Sequence, residues 1–180
     1  MILIHIDGIK GDSQIPGYKD KDWFAVDSFE FGVVRETKES AKAGTDDLTI
    51  GVGELSVCSF NKTTDRASLK LMHHSISGGP LPSAEIHFIQ TKDNADNKQA
   101  VFPYLMFKLM PCFIKEWKIS GSEDERPTEE VSLWYQKIAM QYYAYTKVNG
   151  KYSSKTEGTA GWDQVVNNSW DTPTFEVPKG

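Results

Sequence analysis

The chain has 180 residues, 39% hydrophobic and 12% aromatic, with 20 basic against 25 acidic side chains and a net charge of −5. A chain of this size and apolar content can bury about 70% of its unfolded surface in a single core, which excludes an intrinsically disordered polypeptide. Its charges are mixed throughout with no basic patch, which argues against a nucleic-acid partner, and no apolar run approaches the ~20 residues of a spanning helix, so no membrane insertion is expected.

Residues 2–10 open with Ile2, Ile4 and Ile6 alternating against Leu3, His5 and Asp7, the pattern of a first strand. The same alternation, without a basic leader, argues against a signal peptide, so synthesis in the cytoplasm is expected. Residues 11–21 are rich in turn formers. Residues 22–35 form a second strand, with Phe24 and Val26 in one phase and Phe29 and Phe31 in the other, which implies a bend. Residues 36–49 are polar and aperiodic, a long loop of the kind that often carries function. Residues 50–60 form a third strand. A helix follows, capped by Ser68, with Leu69, Met72, His73 and Ile76 at helical spacing and a stop at Ser77-Gly78-Gly79-Pro80.

Strand sequence resumes at 84–91, turns at 93–98, and continues as 100–109 and 112–120, separated at Pro111. The long strand 130–146 places Val131, Leu133 and Tyr135 in one phase and Ile138, Met140 and Tyr142 in the other; the slip predicts a β-bulge between Tyr135 and Ile138. Residues 147–160 read as a weakly apolar loop, 161–170 as a final strand, and 171–180, with two prolines, as an extended tail. The organisation is one mainly β domain over residues 1–170 with one short α-helix.

Nothing in the residues points to catalysis. His73 and His74 are adjacent, about 100° apart on a helix, and lack the i, i+4 spacing of a zinc pair; His5 and His87 stand alone in strands, so no metal site is expected. The acidic runs at Glu123-Asp124-Glu125 and Glu129-Glu130 bracket Pro127 and read as a solvated turn with Arg126 as counter-charge, which disfavours an acid/base hydrolase built on Glu123 or Glu129. Gly51-Val52-Gly53 opens no helix, no GxSxG is present, and no cofactor is expected. Cys58 and Cys112 belong to no CxxC pair and read as buried thiols. The five tryptophans fit a core and an interface; a carbohydrate-binding β-sandwich, with exposed tryptophans stacking on sugars, is the alternative.

Several short motifs share one order along the chain: Lys10-Gly11-Asp12-Ser13; Phe24, Val26, Phe29, Phe31 and Gly32; Phe60, Lys62, Asp65 and Leu71 leading to Ser77-Gly78; Pro127-Thr128-Glu129 followed by Val131, Leu133, Tyr135, Ile138, Met140 and Tyr142; and Gly161-Trp162. In this order they resemble the Hcp family, the tube proteins of bacterial type VI secretion. The resemblance implies a compact β-barrel of two packed sheets with a helix at its side. It also implies a structural subunit rather than an enzyme: hexameric rings that stack into a tube inside a contractile sheath, meet a spike protein at the tip, and carry effector cargo out of the cell without a signal peptide. Within that frame the polar loop, with Glu36, Lys38, Glu39, Lys42, Asp46 and Asp47, is expected to contact the next ring. Phe29, Phe31, Trp134 and Tyr143 are expected at the subunit interface, and Ser68, Lys70 and His74 along the lumen.

Overall fold

The structure is a computed structural model and describes residues 1–35, 37–38, 49–50, 53–93, 99–148, 151–170 and 173–175. In chain order its elements are β1 (Ile2–Ile6), β2 (Phe24–Val26), β3 (Ser28–Glu30), β4 (Val33–Val34), β5 (Thr37–Lys38), β6 (Thr49–Ile50), β7 (Glu54–Leu55), β8 (Cys58–Thr63), α1 (Ser68–Ser77), β9 (Ala84–Asp93), β10 (Gln99–Ser120), β11 (Thr128–Val148), β12 (Lys151–Asp163) and β13 (Asn168–Ser169). The class is mainly β with one short helix, as the residue pattern implied.

The main sheet runs β13-β12-β11-β10-β9-β1-β2, with β8 and β3 branching from β11. Two long antiparallel strands make its spine, β10 against β11, from Leu105↔Tyr142 to Ser120↔Thr128. On its other edge β11 serves two neighbours in succession: β8 over Thr128–Leu133, then β12 from Lys137 onward. The segment from β2 to β3 bends at Asp27, so β2 pairs with β1 while β3 pairs with β8. A single bond, Asp27 N–H to the Asn61 carbonyl at 2.8 Å, stitches that bend to β8. The expected barrel is therefore not closed by hydrogen bonds. The sheet curls around its core, and the bend at Asp27 leaves the ladder open between β2 and β3.

Inside the curl lies one core that includes Ile4, Ile6, Phe24, Phe60, Ile86, Leu109, Cys112, Val131 and Leu133. Both cysteines are buried and free. A second, smaller cluster of Leu3, Tyr18, Trp23 and Ile89 covers the opposite face of β1. This is why β1 is apolar in both phases: Leu3 and Ile4 are both fully buried, on opposite faces. The loop 11–21 folds down over that second cluster. Gly11 permits it, because a Cβ there would overlap the Trp23 carbonyl.

Four strand expectations need correction. Pro111 does not break the strand: the rungs Met110↔Lys137 and Cys112↔Tyr135 form on either side of it within one continuous β10. The predicted bulge between Tyr135 and Ile138 is also not there, since pairing stays in register from Cys112↔Tyr135 to Leu109↔Ile138. Instead both strands change buried phase together, from Phe107 and Leu109 to Cys112 and Ile114, and from Ile138 to Tyr135 and Leu133. The register shifts lie elsewhere, at Ile114/Glu116 and Tyr142/Tyr143. The weakly apolar stretch 147–160 is mostly strand β12, whose residues 155–160 are exposed and so carry no alternation to read. Finally, 161–170 is the end of β12, a turn and β13; in that turn Asp163 Oδ1 accepts from the N–H groups of Val165 and Val166, and Asn167 takes φ 51°.

Candidate functional site

Among the described residues, two features stand out: an exposed helix surface and the buried groups that hold it in position. Helix α1 carries the surface. Its periodicity is correct but its direction is opposite to the ordinary expectation for an apolar stripe. The residues that face inward are Ser68 and Leu71, preceded by buried Ala67. Leu69 and Ile76 are 74% and 78% exposed, and Met72 39%, so the i, i+3, i+7 stripe points to solvent. Burying such a stripe would remove three large apolar side chains from water, at about 1.5–3 kcal/mol each when fully covered.

What fixes the helix is a buried ionic cluster. Lys62 on β8 is fully buried, and its three ammonium hydrogens meet three acceptors: Asp65 Oδ1 at 2.8 Å, the Thr63 carbonyl at 2.9 Å and Ser68 Oγ at 3.2 Å. Glu129 Oε2 lies 3.6 Å from the same ammonium and accepts from Trp117 Nε1 at 3.3 Å. Asp65 Oδ1 also accepts from Ala67 N–H, and Ser68 Oγ from Asp65 N–H. Ser68 is therefore the first helical residue and not the cap; the side-chain acceptor at the helix entry is Asp65. At the other end Gly78 closes the helix at φ 69°, its N–H donating to the His74 carbonyl. The cluster ties β8, the helix entry and the start of β11 into one unit. It also corrects the reading of Glu129 as solvated: the residue is 1% exposed, whereas Glu123 in the turn beside it is exposed. Nothing in the local sequence marks Glu129 as buried, because its partner Lys62 is distant along the chain.

A second ionic group lies on the far face of the sheet. Lys108 Nζ is 2.7 Å from Glu85 Oε1, Glu85 Oε2 is 3.4 Å from His87 Nε2, and the Tyr18 hydroxyl meets His87 Nδ1 at 3.1 Å. Burial works against ionisation of Glu85, but the contacts with His87 and Lys108 outweigh it and hold the carboxyl below its ordinary range. Burial likewise pushes the Tyr18 and Cys58 groups up, and Cys112 up to about 12.

The residues expected to carry function are placed as follows. Phe29 and Phe31 are half-buried and pack on the core, Phe29 against Phe88 and Phe107 and Phe31 against Phe107 and Tyr135. Trp134 is 43% exposed and lies 5.6 Å from the Phe113 ring. Tyr143 is half-buried, 6.5 Å from Tyr145. Ser68 is buried, its hydroxyl spent on Lys62 and Asp65, so it offers no surface to a lumen; Lys70 is exposed and His74 half-buried beside it. Burial first, then His73 and Lys70, lower the His74 pKa. Of the stacking loop, Lys38 lies in the short β5–β6 ladder, while Glu36, Glu39, Lys42, Asp46 and Asp47 fall outside the described residues. Among the described residues no cluster of three or more His, Cys, Asp or Glu can hold a metal, and no helix is long and apolar enough to cross a membrane. A cleft of about 540 Å³ between β8 and the β10–β11 turn is lined by Asp27, Asn61, Lys118, Ser120, Thr128 and Glu130 among others.

Residues 3–142 match the family model described as "Type VI secretion system effector, Hcp". No curated protein sequence matches the chain. Among solved structures, a type six secretion system protein is 24% identical with a TM-score of 0.77, covering 94% of this chain and 98% of that one. Hcp1 from Salmonella typhimurium is 24% identical with a TM-score of 0.65, covering 94% and 97%. A type VI secretion system effector from Yersinia pestis is 19% identical with a TM-score of 0.62, covering 91% and 99%. At these identities the structures share the fold.

Proposed function

The chain belongs to the Hcp family of type VI secretion system effectors, and from that premise we propose that it is a structural subunit of the secretion tube, closing with copies of itself into a hexameric ring. Rings stack end to end inside a contractile sheath, the spike protein caps the tip, and effector proteins travel in the lumen. No reaction is assigned to it.

The observation that carries the ring is the outward stripe of Leu69, Met72 and Ile76. Large apolar groups in line on a helix that is itself rigidly pinned by Lys62 form a patch with a fixed shape. A ring needs two different complementary patches, so that each copy offers one to each neighbour. The second patch is the exposed aromatic and apolar surface of the β10–β11 spine, with Trp134 on one part and Met140 and Tyr142 on another. In this reading Lys70 and His74 border the lumen and the 36–47 loop meets the next ring.

The test replaces Leu69 and Ile76 by glutamate together. Both are exposed, so the variant keeps the circular dichroism and melting temperature of an isolated subunit while its rings fall apart into monomers on a sizing column. Intact rings in that variant reject the stripe as the ring contact. A monomeric parent chain at every concentration rejects the ring itself.

A further inference from the structure

Helix α1 carries two stripes on its exposed side. Leu69, Met72 and Ile76 form the apolar one. His73 stands four residues after Leu69 and three before Ile76, so it shares their face. Lys70 and His74, also four apart, form the adjoining flank, which places His73 between the two stripes. The His73 and His74 rings are 5.8 Å apart and nearly perpendicular, at 86°. Lys70 and His73 are exposed. His74 is half-buried, with its Nδ1 covered and without a hydrogen-bond partner among the described residues.

No acid on the helix offsets these groups, because SLKLMHHSIS contains none. The turn before it adds another exposed cation, Arg66, and one carboxylate, Asp65, whose Oδ1 is already held by Lys62 Nζ at 2.8 Å and by the Ala67 N–H. Glu129 on β11 faces that same lysine. β10, the strand on which α1 packs, carries exposed Lys115, Glu116 and Lys118, with Glu116 bound to Lys118 at 2.9 Å. Among the described residues the histidines in ion-pair contact are His5 and His87. The surface assigned above to the neighbouring copy brings no free carboxylate either. Near Trp134, Glu116 sits opposite Ser132 and is the residue bound to Lys118; near Tyr142, Glu157 lies 3.4 Å from Lys155.

Imidazole is the side chain whose ordinary pKa, about 6.5, lies beside neutrality. On acidification the charge of this helix face grows from Lys70 alone to Lys70, His73 and His74 together. Covering an unpaired charge with apolar surface is costly. His74 already registers the effect within one subunit: burial first, then His73 and Lys70, hold its pKa below the ordinary histidine range.

We propose that the α1 contact is an acid-labile joint: the neighbouring copy covers the apolar stripe while His73 and His74 are neutral, and their protonation opens the ring. The inference rests on the ring reading above and adds a regulation of that same contact. Its sign follows from linkage. Cover by the neighbour favours the neutral imidazole, so a subunit leaving the ring takes up protons, and dissociation gains as pH falls. One imidazole that stays neutral in the ring raises the dissociation constant of its interface about tenfold between roughly pH 7.5 and 5.5, and a second raises it further.

The experiment follows sedimentation of the full chain from about pH 8 to about pH 5, with circular dichroism reporting the fold at each step. The variants are His73→Gln and His73→Gln/His74→Gln, which are neutral throughout, and His5→Gln on β1 as the control. The expected result is a parent that forms rings near neutrality and releases folded subunits on acidification. His5→Gln follows the parent, His73→Gln shows a weaker pH dependence, and the double variant keeps its rings across the range. Parent rings that persist at about pH 5 overturn the joint while the ring stands. A double variant that dissociates in step with the parent overturns its assignment to these two imidazoles. Loss of the neutral-pH ring in both histidine variants also overturns it, since neutral imidazole is then required by the contact rather than tolerated there. A parent without rings at any pH overturns the ring reading and this inference together.

Discussion

Replacing Lys62 by methionine takes a charge out of a site where water cannot stand in for it. The ammonium is fully buried, as is the Glu129 side chain 3.6 Å away; Asp65, at 2.8 Å, is 17% exposed. After the substitution Glu129 retains only the Trp117 N–H among its described partners, and the Ser68 hydroxyl loses the donor that ties it to β8. Removing one member of a buried ion pair costs about 3–5 kcal/mol, because the partner charge is left uncompensated. Partial exposure of Asp65 places the cost toward the lower end. At about 2–4 °C per kcal/mol for a chain of this size, the melting temperature falls by roughly 6–20 °C. The assay is urea unfolding followed by circular dichroism at one fixed protein concentration, since self-association raises apparent stability. The double variant Lys62→Met/Glu129→Leu removes both charges and recovers at least half of the loss. A single variant that costs under about 1 kcal/mol, or a double variant no better than the single, refutes the claim that charge burial drives the effect.

Glu85→Gln removes a stabilisation whose pH window follows from its sign. The folded carboxyl lies below its ordinary value of 4.5, so the contribution is fully present above 4.5 and is lost as pH falls through the folded pKa. The difference in unfolding free energy between parent and variant is therefore flat from neutral pH down to about 4.5 and shrinks below it; a difference that grows on acidification contradicts the assignment. Gly11→Ala forces a Cβ into the Trp23 carbonyl and costs about 1–3 kcal/mol in denaturant unfolding, with no loss meaning the 11–21 loop is seated differently. Cys58 and Cys112 are fully buried with thiols pushed up by burial, so neither reacts with a thiol reagent until the chain unfolds, and stoichiometric labelling of the native protein would contradict the core described. Deleting residues 38–46 leaves the fold intact and shortens stacked tubes in electron micrographs; tubes of normal length reject the loop as the stacking contact.

Legibility in the sequence tracked how local the physics was. β1 is readable because Ile4 and Ile6 repeat at period two, and α1 because its spacing and its Gly78 stop are local. The direction of α1 was hidden: an apolar stripe is normally read as facing the core, and only the packing of Ser68 and Leu71 reveals the reverse. β12 was missed because residues 155–160 are exposed, leaving pairing with β11 as the sole cause of the strand. Pro111 misled for a different reason, since one missing N–H is tolerated when Met110 and Cys112 both pair. The Lys62–Glu129 ion pair and the Lys108–Thr174 hydrogen bond join residues 67 and 66 positions apart, a separation across which no single-sequence pattern carries a signal. Its ionic partners became visible only once the fold had brought them together.

The central claim is that this chain works as a closed ring of copies. Native mass spectrometry of the purified protein over a wide dilution series tests it most directly. The account predicts a dominant species at six times the 20.2 kDa mass of one chain, annular under the electron microscope. A population that remains at the mass of a single chain throughout the series contradicts it.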